Sequence, residues 1–341
     1  MKGRLGGLLF LAAAATLPLW LRDPYFVAIL TSTGIFIIAA ISLNLLLGFT
    51  GQLNLGQAAF FGIGAYTSAL LSLGFDVDIG LPSPVVVDPK PVWIAFLGAV
   101  IVSGMFGWLI GKLAFRVRGA YFVIVTISFA EVMRLVALNW VDLTEGPMAL
   151  NNIPPLSVWW PGAGVTALVT KAQQYWLVLA VGVLCYFLVA RMVRSRIGRA
   201  LIALRENEPL ARSVGVRVTH YLVVATVVSA AIAGAAGALY AHCVRIVDPD
   251  VFLFIYTVTM VIMVVAGGKG TLAGPVVGGL IFGLMPQALR GTAPPEVQWV
   301  IYGVGIILIV FFLPRGIVPG FADLARLGLP RARSRTARVA P

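Results

Sequence analysis

Apolar runs long enough to cross a bilayer recur along this 341-residue chain, at about residues 5–21, 26–47, 56–73, 92–112, 119–139, 175–192, 221–241, 251–266, 272–289 and 298–313. A membrane-spanning helix needs about 20 such residues. The pattern predicts an all-α polytopic membrane protein, a single transmembrane domain over residues 1–341 with about ten spans. Some spans are expected to be short or interrupted: the third is rich in glycine and the eighth is brief. Composition agrees, since 60% of residues are apolar and only 11% charged, against about a quarter charged in ordinary globular domains.

The first run opens "MKGRLGGLLFLAAAATLPLW". Its basic start and short apolar core resemble a secretory signal, yet Pro18 and Trp20 stand where a cleavage site belongs. A retained span is the expectation. With the N-terminus inside and the spans alternating, Lys2, Arg4, Lys112, Arg116, Arg118, the arginines from Arg191 to Arg217, Lys269, Arg315 and the basic tail (314–341) fall on the cytoplasmic side. Asp76, Asp78, Asp88, Asp142, Glu145, Asp248, Asp250 and Glu296 fall outside, with few bases among them. Lysine and arginine collect on the cytoplasmic side of membrane proteins, so both termini are expected there. Two outer loops stand out: the acidic, Pro-rich "GFDVDIGLPSPVVVDPKP" (74–91), expected to be extended, and the segment holding "NNIPPLSVWWPGAG", whose Trp159 and Trp160 suit a membrane interface.

The net charge of +12 sits in short segments beside apolar spans, which fits membrane topology and argues against nucleic acid. Cys185 and Cys243 lie in or beside apolar runs without paired spacing, so neither a disulfide framework nor a zinc site is expected. His220 and His242, the only histidines, have no ligand partner at helical spacing; they read as boundary residues with satisfied hydrogen bonds. "GGKGT" (267–271) lacks the earlier glycine of a phosphate loop and reads as a tight cytoplasmic turn. No catalytic constellation and no metal site emerges.

Polar residues inside apolar runs carry more information, because hydrocarbon penalises them. "SLNLLLGFTGQLNLGQAAFFGIGAYTSALL" (42–71) mixes Asn44, Gln52, Asn54 and Gln57 with many glycines. Either these residues border a translocation pathway at an interrupted helix, or they serve helix packing. In "FAEVMRL", Glu131 and Arg134 share a helix face and can pair, as a buried anchor or as part of a pathway. The small-residue faces of "AAIAGAAGALYA" (230–241) and "GPVVGGLIFG" (274–283), the latter with Gly279 and Gly283, predict tight helix contacts.

One hydrophilic helical stretch interrupts this chain: "RSRIGRALIALRENEPLARSVGVR" (194–217). Leu201, Ile202, Leu204 and Leu210 recur at roughly helical spacing, and Pro209 suits a break or the first turn of a second helix. A helix lying on anionic lipid carries bases around its polar face; Glu206 and Glu208 do not fit that picture, and a surface docking another protein explains them better.

Four motifs in order, "GFTGQLNLGQAAFFGIGAYTSALL", "GAYFVIVTISFAEVMRLVALNW", "IGRALIALRENEPLARSVGV" and "GGKGTLAGPVVGG", resemble the permease subunit of branched-chain amino acid ABC importers, the livM-type half, over about residues 35–318. The resemblance implies a multi-pass protein of the bacterial inner membrane. It implies as partners a second, livH-type permease, two ATP-binding subunits and a periplasmic binding protein, with membrane lipid around them. It implies no enzyme activity and no cofactor of the chain's own, ATP being bound by the partners. It also implies that the segment from Gly198 to Gly215 is the coupling segment that seats in the ATPase, with Arg205, Glu206, Asn207 and Glu208 central. Related substrates (urea, short amides, aromatic acids) are the nearest alternative. A proton-coupled secondary transporter is disfavoured by the scarcity of titratable groups within the spans. Two departures are visible: "TEGPMAL" puts Glu145 and Ala149 at two glycine positions of the family's T-G-G-x-x-G, and Gln57 stands where histidine is frequent.

Overall fold

The computed structural model describes residues 11–18, 20, 23–77, 85–117, 119–160, 164–289 and 294–321. Lys2, Arg4, Arg118, Asp78 and the basic tail beyond residue 321 lie outside them. The chain is built on helices α1 (Pro24–Asn44), α2 (Gln57–Leu73), α3 (Val92–Ala114), α4 (Ala120–Asn139), α5 (Lys171–Arg194), α6 (Arg196–Glu206), α7 (Glu208–Ser213), α8 (Val218–Val244), α9 (Phe254–Gly267), α10 (Gly274–Leu289) and α11 (Pro295–Phe312). The expected helical, polytopic membrane class holds.

Ten spans were expected from hydropathy; among the described residues five helices are long and apolar enough to cross on their own: α1 with its continuation to Thr50, α3, α4, α5 and α8. Two of the others are cut short for physical reasons. α2 begins only at Gln57, because residues 51–56 leave the helical path. α9 has 14 residues, about 21 Å at 1.5 Å per residue, because Pro249–Phe252 wind as a separate 3₁₀ turn before it. In the first apolar run, residues 11–18 are helical and lie against α5, where the Tyr175 hydroxyl donates to the Ala14 carbonyl (2.9 Å) and Trp176 Nε1 to that of Ala15 (3.1 Å).

α1 and α8 form the centre. Ile35, Ile38, Leu43, Leu45 and Leu46 of α1 and its continuation, with Ala225, Ala236 and Leu239 of α8, are buried in the main core cluster. Lipid tails are as apolar as leucine, so close van der Waals contact has to hold such helices together. The 230–241 stretch supplies it: a Cβ on Gly237 would strike the Phe61 carbonyl of α2, and one on Gly64 would strike Gly234. The expected close contact at Gly279 and Gly283 is also present, against Ile37 and Thr33 of α1.

The loops gather at two ends. At one, which we call the hairpin end, Phe75–Val77 pairs antiparallel with Val85–Val87 and Ser157–Trp160 with Gly164–Ala167, so these described parts of the 74–91 loop are extended as expected. Leu150, in the loop after α4, and Val247, in the short connection between α8 and α9, bridge there with N–H···O bonds of 2.9 and 3.0 Å. At the opposite, arginine end lie residues 48–51, the α6–α7 segment and the 267–271 turn.

Candidate functional site

Asn54 and Gln57 lie at the start of α2, where the helical path is broken. Gln57 is fully buried. Its Nε2 donates to Ser42 Oγ (2.8 Å) and Ser229 Oγ (3.1 Å), and its Oε1 accepts from Asn54 Nδ2 (2.7 Å). Asn54 Oδ1 takes the Gly56 N–H at 3.0 Å, and Ser229 Oγ donates to the Ser42 carbonyl at 2.7 Å. The loose backbone donors at the break find hydroxyls on other helices: Leu55 N–H reaches Thr126 Oγ1 (3.3 Å) and Ala58 N–H reaches Thr257 Oγ1 (2.9 Å). Buried polar groups are tolerated when bonded in this way, and irregular backbone at membrane depth survives only inside protein or beside water. Ser42, Ser229, Thr126 and Thr257 were not singled out by sequence, since lone hydroxyls in apolar runs are too common to signal a network.

Asn44 and Gln52 belong to the arginine end instead. Asn44 Nδ2 donates to the Thr271 carbonyl (2.8 Å) and its Oδ1 accepts from the Gly270 N–H (3.0 Å), tying α1 to the "GGKGT" turn between α9 and α10. Gln52 lines a small recess of about 60 Å³ with Glu208, Phe115 and Thr219.

Glu131 and Arg134 pair as expected, Arg134 Nε meeting both carboxylate oxygens (3.0 and 3.1 Å) and Nη2 meeting Oε1 (2.7 Å). They point away from the chain's core, with side-chain exposures of 49% for Glu131 and 23% for Arg134. Glu131 stands about 16 Å from the start of α4 and about 12 Å from its end. A charge at such depth costs about 2.5–3.5 kcal/mol on insertion scales, so this face calls for protein or water.

The charged stretch forms two short helices. Ser195 caps α6 by accepting the Ile197 N–H (3.1 Å), and Asn207 caps α7 by accepting that of Leu210 (3.0 Å), with Pro209 in the first turn. Gly198 abuts the Val193 carbonyl, and Gly215 closes α7 at φ 89°. Leu201 and Leu204 bury the inner side of α6. Arg205 turns inward, its Nη1 donating to the Gly48 carbonyl (2.7 Å), while Nε and Nη2 hold Glu206 Oε1 (3.1 and 2.6 Å). The outer surface presents Glu206 together with the exposed apolar side chains of Leu210 and Val214. Charge beside bare hydrophobic surface is the make-up of a protein-docking patch.

The two histidines part ways. His242 is fully buried, its Nε2 with Ser68 Oγ (2.8 Å) and Nδ1 with the Pro154 carbonyl (2.7 Å), which pins the hairpin-end loop to α2 and α8. His220 is exposed and packs edge-on to Tyr221. Cys185 and Cys243 are free thiols.

A profile of the "branched-chain amino acid transport system / permease component" family matches residues 25–310. The high-affinity branched-chain amino acid transport system permease protein LivM of Salmonella typhimurium is 31% identical over 86% of this chain and 70% of its own length. The LivM protein of Escherichia coli K12 is 30% identical over the same shares. LivH of Salmonella typhimurium is 28% identical over 83% of this chain and 91% of its own. No solved structure matches the chain. The match over most of its length makes this chain a member of the branched-chain amino acid transport system permease family.

Proposed function

We propose that the chain is one permease subunit of an ATP-binding cassette importer that moves branched-chain amino acids across the bacterial inner membrane. In this reading a periplasmic binding protein delivers the substrate, a LivH-type permease completes the pathway and two ATP-binding subunits supply the energy. The hairpin end faces the periplasm and the arginine end the cytoplasm, with ten crossings and both termini inside. The names of the relatives support branched-chain amino acids over urea, short amides or aromatic acids, and a permease family disfavours a secondary transporter.

The observation that carries the reading is the α6–α7 surface: a charged patch with exposed Leu210 and Val214, standing at the loop end of a family permease. It is the seat for an ATP-binding subunit, with Glu206, Asn207 and Glu208 at its centre and Gly198 and Gly215 bounding it. Glu131 and Arg134 front the pathway between the two permeases, where the exposed pair finds the protein or water its depth requires. Gln52 stands at the inner mouth, and Asn44, Asn54 and Gln57 hold the broken helix behind it.

Reversing Glu206 and Glu208 together (Glu206→Arg, Glu208→Arg) tests this on the assembled complex. Membrane insertion should be kept, the ATP-binding subunits should no longer co-purify, and leucine uptake should fall about tenfold or more, as expected when charge pairs at an interface turn repulsive. Intact assembly with normal uptake would sink the docking assignment.

A further inference from the structure

α1 does not end as an ordinary α-helix. Between Leu45 and Thr50 its backbone widens into a π-helix, then turns at Gly51 (φ 74°) into the non-helical segment that leads to Asn54 and Gln57. Such π segments are uncommon and concentrate at functional sites. One carbonyl in it, that of Gly48, is held from outside by Arg205 of α6.

Everything around this contact is close-fitted. A Cβ on Gly48 would strike Asn44 and Gly270. One on Gly270 would stand 2.7 Å from Arg205 Nη1 and 2.9 Å from the Gly48 carbonyl oxygen. One on Gly51 would meet Arg205 Cγ at 3.0 Å. Asn44 closes the group by binding both Gly270 and Thr271. Three segments far apart in sequence therefore meet at one guanidinium: the docking helix, the π-helical end of the central span, and the turn joining α9 to α10. The same guanidinium holds Glu206, which stands on the docking surface.

We propose that Arg205 is a positioning residue for transport: it transmits movement of α6–α7 to the spans by its grip on the Gly48 carbonyl. The π segment is the element that changes winding in response. A displacement of α6 pulls on one peptide of a helix already one residue out of α register, and the next stretch of chain is the 51–56 segment anchored by Asn54 and Gln57. The surface that meets the ATP-binding subunit and the polar break inside the bundle are thus joined by a charge-assisted hydrogen bond, beside the apolar packing of Leu201 in the cluster that holds Leu45, Leu46 and Phe49. This rests on the docking role proposed above for α6–α7.

The test uses the whole complex in proteoliposomes, with binding protein and leucine, and compares Arg205→Ala, Arg205→Lys and Gly48→Ala with Glu206→Arg. Co-purification of the ATP-binding subunits, ATP turnover and leucine uptake are read on each. Arg205→Ala should keep those subunits bound and ATP turnover within about twofold, while leucine moved per ATP falls about tenfold or more, the scale of a lost bond to a charged group. Gly48→Ala, whose Cβ meets Asn44 and Gly270, should melt below the parent, and the complex that still assembles should move less leucine per ATP. Arg205→Lys, which keeps the charge with a single donor head, should fall between and cover the case in which the alanine variant does not fold. Unchanged uptake per ATP in both Arg205→Lys and Gly48→Ala would overturn the proposal. So would loss of the ATP-binding subunits from the Arg205 variants alone, because Arg205 would then be a docking residue. Failure of the docking role itself reads differently: Glu206→Arg would leave the complex and uptake intact.

Discussion

The two ends of this bundle solve tight backbone geometry differently: the hairpin end uses glycine at Gly74 and Gly146 but full side chains at four other left-handed positions. At the arginine end the left-handed positions Gly51, Gly268 and Gly270 are all glycine, and Gly48 is glycine because Asn44 and Gly270 leave no room for a Cβ. At the hairpin end Glu145 (φ 57°), Ala149 (φ 63°), Asn152 (φ 57°) and Arg245 (φ 69°) hold left-handed or rarer conformations with full side chains. The difference follows from what fixes each region. At the arginine end, three segments touch backbone to backbone, so shape excludes any other residue. At the hairpin end the loops are held by bonds that tolerate side chains: the Leu150–Val247 bridge, His242 to the Pro154 carbonyl, and Arg245 Nε to that of Ile153 at 3.0 Å. Geometry set by contact admits one residue type, whereas geometry set by bonds admits several at a cost in strain.

The largest effect should come from putting a side chain into the close-fitted end. Gly270→Ala adds left-handed strain of about 1–2 kcal/mol and crowds the Arg205–Gly48 contact, whose loss adds about 1.5–3 kcal/mol. Purified protein should melt well below the parent and membrane yield should fall. A variant that melts with the parent would break the comparison, since contact would then not be what fixes that turn.

Removing strain at the hairpin end should work the other way. Ala149 combines φ 63° with ψ 149°, a region reached almost only by glycine and costing about 1–3 kcal/mol. Ala149→Gly should raise the melting temperature, the gain being about 1 kcal/mol after glycine's greater flexibility in the unfolded chain is discounted. Glu145→Gly, at ordinary left-handed angles, should gain less. The combination of Gly270→Ala destabilising and Ala149→Gly stabilising is what the contrast requires.

Much of the fold was legible in the sequence, and for identifiable reasons. Hydropathy marks α1, α3, α4, α5 and α8 because a span must be apolar along its whole length. The glycines of 230–241 read correctly as a contact face. The paired Glu131 and Arg134 and the two-helix form of 194–217 follow from local rules of helix spacing and capping. Asn44, Gln52, Asn54 and Gln57 look alike as polar residues in one apolar run, yet the structure divides them between a turn clamp, a recess at the arginine end and a buried network. That division depends on Ser42, Ser229, Thr257, Gly270 and Thr271, most of them more than a hundred residues away along the chain. Which way Arg205 turns is equally unreadable, because its acceptor is a backbone carbonyl of Gly48, and backbone carbonyls leave no mark in a sequence. The strain at Glu145 and Ala149 was half visible: the departures from a glycine pattern located it, and only the backbone angles gave it a sign.

The smallest expected effect sharpens the bond-held end by titration. Partial loss of hydration, and then the charge of Asp250, hold the Asp248 carboxyl above the ordinary carboxylate value, with loop N–H groups opposing the shift. A pKa raised on folding means the folded loop favours the protonated acid. That favourable contribution is complete below the unfolded value near 4 and is lost as pH rises through the higher folded value, so the ionised carboxylate is a mild liability at neutral pH. Asp248→Asn removes the charge, keeps an acceptor for the loop, and should stabilise at pH 7 by about a few tenths of a kcal/mol, because the residue is exposed and solvent screens it. The difference in melting temperature between variant and parent should shrink towards zero or reverse as pH is lowered into the carboxylate range. A variant less stable than the parent at pH 7 would mean that the carboxylate's bonds to the loop outweigh its repulsion from Asp250. The hairpin end would then depend on charge as tightly as the arginine end depends on shape.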